Sequence, residues 1–405
     1  MDIPLVVVAG HTGLDVIPTL KEGQSQLVEL LVPGQLRQVG PMVLATGGAV
    51  PNTGMALHRL GTPVRLVGKV GDDLIGRAIL ELVRREGAGL ADAILVVPGG
   101  DTAYTVILSA PGLDRTFLHY PGPNDTFCAD DVPASAFEGA GIFHFGYPPL
   151  MRRMYLDAGQ DLADLLQRAR AAGLVTSLDV SQPDPDSEAG RVDWPELFEN
   201  VLPSVDIFLP GVDELLLMLH PERYAALMDA GDGDLLSQVD GVLLDELSAE
   251  LLDLGVAVVV LKLGTQGIYL RTTADAARLS GIAKILPPAA RIWRDRELLA
   301  PAFRADVVGT TGAGDCAIAG FLAGLARGLP PEDVLACAAA VGASNVEAAD
   351  AISGVPSWDA VRARLAAGWA QHDTRIRLRG WGRDVDRRLW IGPGDRGGLI
   401  ASSRS

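Results

Sequence analysis

The stretch VVGTTGAGDCAIAGFLAGLARG, residues 307–328, sets two threonines and several glycines before one carboxylate, Asp315, and then continues as small apolar residues. Glycines let a backbone approach a ligand closely and turn with positive φ, and the first N–H groups of a helix lie unpaired at the positive end of its dipole. The N–H groups of Gly312, Ala313, Gly314 and Asp315 would converge there as a cradle for an anion. A carboxylate in such a cradle repels a resting anion, but it suits a group that must take the proton from a hydroxyl attacking a phosphoryl centre held beside it. Asp315 is the candidate base. The other reading of these residues, a Gly-rich turn with Asp315 as helix N-cap, stays open at this point. No GxxxxGK(S/T) sequence occurs, and GHTGLD after the first apolar run lacks the GxGxxG spacing, so neither a P-loop nor a Rossmann turn accounts for phosphate binding.

A cradle of this kind needs a scaffold, and the chain supplies one in alternating segments. IPLVVVAG, PVRLVG, AILVV, GIFHFG, LVTSLDV, VDIFLP and VAVVVLKLG read as buried strands, and segments such as NTGMALHRLG, DLIGRAILELVRREGAG and RRMYLDAGQDLADLLQRARAAG read as helices between them. This rhythm predicts an α/β protein with a mostly parallel sheet covered on both faces. Residues 12–46 and 101–120 break it: apolar and polar residues alternate without an intervening helix, as in half-exposed antiparallel strands. They predict a small separate sheet, a lid with an apolar face and an edge through which two copies could pair. Residues 371–405 hold eight Arg and four Asp, and TRIRLRGW within them reads as a strand in a docked, solvated appendage. RIWRDRE around Trp293 reads as a surface insertion.

Composition narrows the function. A chain of 405 residues, 48% hydrophobic, can bury a large core, and a formal charge of -17 with pI ≈ 4.7 argues against a nucleic-acid partner. Cys128, Cys316 and Cys337 are odd in number and widely spaced, which suggests neither disulfides nor a metal site, and six histidines show no ligand spacing. His11 and His144, at strand ends, read as satisfied hydrogen-bonding residues. The start MDIPLVVVAG reads as a buried strand and no apolar run suits a membrane span, so a cytoplasmic protein without a membrane partner is expected.

Residues 309–325, GTTGAGDCAIAGFLAGL, resemble the C-terminal signature of the PfkB (ribokinase-like) family of carbohydrate kinases. Residues 47–80, GGAVPNTGMALHRLGTPVRLVGKVGDDLIGRAIL, resemble its N-terminal signature. The resemblance runs from about residue 3 to 365. It implies a three-layer α/β/α kinase domain over residues 1–370 with a small β lid, and leaves 371–405 as an Arg-rich extension. It also implies ATP-dependent phosphorylation of a hydroxyl, a primary alcohol, on a sugar or sugar-like molecule. In that reading Asp315 is the catalytic base, and Gly312, Ala313 and Gly314 form the anion hole. Asp15, Gly47, Gly48, Asn52 and Asn124 meet the substrate, and Lys262, Gly264, Gly267, Thr310 and Thr311 line the nucleotide side. Glu214 organises water around Mg²⁺, and a homodimer forms through the lid.

The chain also departs from the family. The asparagine of the family's Asn-x-x-Glu motif is Gly211 here, and the aspartate that opens its DTxGAGD loop is Gly309, which leaves a monovalent cation in question. Asp179 keeps only the first position of a DxNxR pattern, with Ser181 and Pro183 at the others, so substrate specificity is open. Two alternatives share the fold. A nucleoside kinase could stack a base on Tyr104, Phe117 or Tyr120, and a silent sugar sensor would have lost the base.

Overall fold

The computed structural model describes residues 2–20, 32–108, 116–285 and 290–397. Sixteen strands appear among them. The first eight are β1 (Leu5–Gly10), β2 (Gly13–Pro18), β3 (Met42–Gly47), β4 (Val64–Val67), β5 (Lys69–Gly71), β6 (Leu95–Val97), β7 (Tyr104–Leu108) and β8 (Thr116–Tyr120). The others are β9 (Ala140–Gly146), β10 (Val175–Asp179), β11 (Ile207–Phe208), β12 (Val258–Lys262), β13 (Ile268–Thr272), β14 (Glu297–Ala300), β15 (Gly382–Asp384) and β16 (Leu389–Ile391). Ten of them make the main sheet in the order β4-β1-β9-β10-β11-β12-β13-β14-β16-β15, parallel from β4 to β12 and antiparallel beyond.

Side chains of a strand alternate between its faces, and here both faces are apolar. Val6 and Val8 of β1, with Val258 and Val260 of β12, enter one core together with helices Ala49–Arg59, Ala313–Ala326 and Pro331–Asn345. Val7, Ala9, Val259 and Leu261 enter a second core with helices Gln160–Ala171, Trp194–Val201, Val212–Leu219 and Gly241–Asp253. Burying each such side chain contributes about 1.5–3 kcal/mol, which is why the strands read as unbroken apolar runs. The result is the α/β/α sandwich expected from the rhythm of the sequence.

A four-stranded sheet, β3-β2-β7-β8, stands apart from the main one. It falls within the segments expected to form a lid; residues 21–31 and 109–115 of those segments lie outside the described residues. Its register sorts its two faces. Asp15, Thr105 and His119 align across β2, β7 and β8, while Leu44, Val16, Val106 and Leu118 align on the opposite face.

Two expectations need correcting. The extension is docked, but as more than a solvated appendage: β15 and β16 continue the main sheet, and the strand is not at TRIRLRGW but at the two short segments after it. Residues 398–405 lie outside the described residues. Nor is Trp293 on a surface insertion, for it is buried edge-on against Phe321 of the Ala313–Ala326 helix.

Candidate active site

Parallel α/β sheets bind ligands beyond the carboxyl ends of their strands, and here those ends carry the polar side chains. His11 follows β1, Tyr147 follows β9, Asp179 ends β10 and Lys262 ends β12. Opposite them begins the Ala313–Ala326 helix, capped by Gly312 at φ 71, where an added Cβ would run into the backbone of Ala351. The Ala313 N–H is taken by the Thr310 carbonyl at 3.3 Å, and the Thr311 carbonyl is held by Asn345 Nδ2 at 2.9 Å. A Cβ on Gly314 would stand 3.8 Å from Lys262 Nζ, so the bare side of this residue faces the ammonium.

Asp315 is buried in the first turn of that helix. Asn52 Nδ2 donates to Oδ2 at 3.0 Å, and the Tyr147 hydroxyl lies 2.8 Å from both carboxylate oxygens. Asn52 and Asp315 are 263 positions apart, one in each of the two motif regions, and the packing of their helices brings them together. Burial pushes the Asp315 carboxyl above the ordinary carboxylate range, while Asn52, Tyr147 and Lys262 pull the other way. Asp315 thus holds a side-chain network instead of serving as N-cap, the position that Gly312 takes. Tyr147 is a site residue that sequence reasoning missed. Its phenol is held well above the usual range by burial and by the charge of Asp315, so it remains a donor. The only local sign was a strand end at Gly-Tyr-Pro-Pro.

On the lid side the Asp15 carboxylate lies against Gly47 so closely that any Cβ there would collide with it. Gly48, at φ 95, links β3 to the helix that carries Asn52 and lies against the His11 ring. His11 was expected to be satisfied, but it is 3% exposed and neither ring nitrogen has a partner. Its ring sits 5.1 Å from that of His119 on the lid and 6.3 Å from that of Tyr147. Burial, with His119 adding to it, lowers the His11 pKa well below the ordinary value, so the imidazole is neutral at pH 7. His144 is satisfied at one nitrogen only: Nδ1 meets Ser177 Oγ at 2.9 Å, Nε2 has no partner, and burial brings its pKa to about 3. Asn124 departs from the expected substrate contact. It is fully buried, and its amide bonds the Thr12 N–H, the Thr12 carbonyl and the Pro121 carbonyl, which fixes the turn between β1 and β2.

Lys262 is buried among acids. Nζ is 2.6 Å from Asp179 Oδ1 and 3.7 Å from Glu214 Oε2, and Asp179, Glu214 and Asp315 together hold the ammonium above its usual range against burial. Burial pushes the Asp179 carboxyl up, and Lys262 opposes that push. Asp179 Oδ2 has no partner. Glu214 Oε2 accepts the Gly211 N–H at 2.6 Å and so caps the Val212–Leu219 helix. Beyond Lys262, Gly264 at φ 51 and Gly267 at φ 109 turn the chain into β13. Among the described residues no three His, Cys, Asp or Glu side chains converge on a metal position, and no helix is long and apolar enough to cross a membrane.

Solved structures share this fold. A fructokinase of Xylella fastidiosa with bound ATP matches with TM-score 0.64 at 20% identity, covering 90% of this chain and 98% of its own. An Arabidopsis thaliana ribokinase complexed with ribose and ATP matches at 0.63 and 20%, covering 90% and 99%. In sequence, the chain is 25% identical to a 2-dehydro-3-deoxygluconokinase of Bacillus subtilis over 84% of its length and 93% of the relative's. It is 26% identical to fructokinase-1 of Zea mays over 56% and 71%. The family model of the pfkB carbohydrate kinases matches residues 4–358, most of the chain and both glycine-rich motifs, and the protein therefore belongs to the pfkB family of carbohydrate kinases.

Proposed function

We propose that this kinase transfers the γ-phosphoryl group of ATP to a primary hydroxyl of a neutral sugar, with Asp315 as base. The observation that carries the reading is the Asp315 carboxylate, buried at a helix N-terminus, oriented by Asn52 and Tyr147, and neighbour to the Gly314–Lys262 pair. The substrate oxygen attacks phosphorus, its proton passes to a carboxylate oxygen of Asp315, and the bond to the ADP oxygen breaks with the electron pair leaving on ADP. The N–H groups of Gly314 and Asp315 and the ammonium of Lys262 stabilise charge on the transferring group. Thr310, Thr311, Gly264 and Gly267 stand where a nucleotide would pass. Asp15, His11 and His119 face the sugar hydroxyls, and the unmet nitrogens of His11 find their partners there. Gly47 and Gly48 leave room for the ring.

The free oxygen of Asp179 and the carboxylate of Glu214 suit a hydrated Mg²⁺, which would neutralise phosphate charge when bound with ATP. Closure of the lid would exclude water, so that hydrolysis does not compete. The apolar outer face of the lid pairs two copies. Of the three aromatic residues that could stack a nucleoside base, Tyr104 and Tyr120 align with each other on the face opposite His119, and Phe117 alone shares the face of Asp15, Thr105 and His119.

The test is ADP release from Mg·ATP across pentoses, hexoses, sugar acids and nucleosides, with Asp315→Asn beside the wild type. A neutral sugar should give turnover that the variant loses by at least about a thousandfold while still binding ATP. Turnover retained by the variant would exclude Asp315 as the base. His11→Ala should raise KM for the sugar and leave KM for ATP in place.

A further inference from the structure

The family match ends at residue 358, yet the chain beyond it returns to the nucleotide side. Phe303 and Gln371 form an antiparallel bridge, the Arg304 N–H donates to the Ala370 carbonyl at 2.9 Å, and the His372 N–H donates to the Ala302 carbonyl at 2.8 Å. Trp369 stacks on Phe303 at 4.8 Å between ring centres and donates its indole N–H to the Arg304 carbonyl at 2.7 Å. Ala302 itself packs against Gly267, where a Cβ would come within 2.8 Å of the Ala302 nitrogen. A few residues on, the Arg375 N–H donates to Gln266 Oε1 at 2.8 Å. Gln266 is 7% exposed and belongs to the turn between Gly264 and Gly267. The Arg377 carbonyl then accepts the Gly241 N–H at 3.1 Å, which ties the segment to the start of the Gly241–Asp253 helix.

We propose that residues 369–377 form a wall of the phosphoryl-donor site. Gln266 acts as a positioning residue whose bond to Arg375 fixes the turn, and the Arg375 side chain attracts the polyanionic donor. The inference rests on the reading of the Gly264–Gly267 turn as the nucleotide side. A turn with two residues at positive φ has many alternatives when unsupported, and a buried amide oxygen held by a main-chain N–H removes most of them. The Arg375 side chain is exposed and makes no ion pair among the described residues. In a chain of net charge -17 that repels a nucleoside triphosphate, a cation beside the turn raises the local donor concentration, an effect that salt screens.

The test uses the full chain with a sugar it phosphorylates, supported by calorimetric titration with ATP. Gln266→Met should raise KM for ATP about tenfold, with KM for the sugar and the melting temperature near wild type. Arg375→Gln keeps the main-chain donor; it should raise KM for ATP about threefold at low ionic strength and not at all at high salt, a dependence that a purely structural role would not produce. Wild-type ATP binding that neither variant weakens overturns the role of the segment and leaves the donor reading intact. The same holds if both KM values rise together with a falling melting temperature. Absence of ATP binding to the wild type overturns the donor reading and the inference with it.

Discussion

Tyr147 gives one hydroxyl to both oxygens of the base from a backbone that few non-glycine residues adopt, φ 68 and ψ 45. The residue after it is Pro148, and a residue before proline is ordinarily extended, so the conformation costs on the order of 1–3 kcal/mol that the surrounding structure must offset. A hydrogen bond given to a carboxylate favours its ionised form. In Tyr147→Phe the pKa of Asp315 therefore rises further, and the acid limb of the kcat–pH profile moves to higher pH by about one pH unit. An unmoved limb would show that the phenol does not act through the base. Stability carries the opposite sign. Burial raises the folded-state pKa of Asp315, so its charge destabilises the protein fully above that value and not at all below the unfolded-state value. Asp315→Asn should melt at or above the wild type at pH 7, with the difference closing as the pH falls through that interval. Asp315 and Asn52 were legible because glycine spacing marks a close backbone approach. Tyr147 was not, because its strained conformation runs against its neighbour's preference, and the unmet His11 was hidden because its ring partners lie on other strands.

At the scale of elements, unbroken apolar runs such as LVVVAG revealed the parallel strands, since a strand buried on both faces has no polar alternation to confuse it. The three-residue strands β15 and β16 carry no period long enough to read, and Arg-rich surroundings disguised them as a solvated tail. Besides Leu389, which enters the apolar core, their attachment rests on buried polar contacts. Glu297 is 0% exposed and accepts the Gly394 N–H at 2.6 Å, and the Arg296 guanidinium lies between Glu332 and Asp395 at 2.6 and 2.9 Å. Asp395→Ala removes one of these partners from Arg296 and an acceptor from the Glu297 N–H at 3.1 Å. The expected loss is about 2–4 kcal/mol in urea unfolding, with kcat unchanged well below the melting temperature. A loss under about 0.5 kcal/mol would return the segment to the standing of a solvated appendage.

Across the whole molecule, two kinds of surface remain. Edge strands β15 and β4 are short, which limits pairing with other chains. The outer face of the lid is different: Met42 is 56% exposed and Leu118 54%, with Leu44, Tyr104 and Tyr120 beside them. If two copies meet there, sedimentation equilibrium will find a dimer that Leu118→Glu converts to monomer, with the fold unchanged by circular dichroism. A wild-type monomer at micromolar concentration would remove the lid from the interface. The attachment of Gly394 to Glu297 also orders events in time. The two are 97 positions apart, so during synthesis the ribosome must add nearly a hundred residues after Glu297 before its partner exists. Until then β14 is an open sheet edge whose carboxylate is met by Arg271 and Tyr269 but not by the main chain that closes over it, and a nascent chain halted in that interval would meet chaperones as an incomplete kinase.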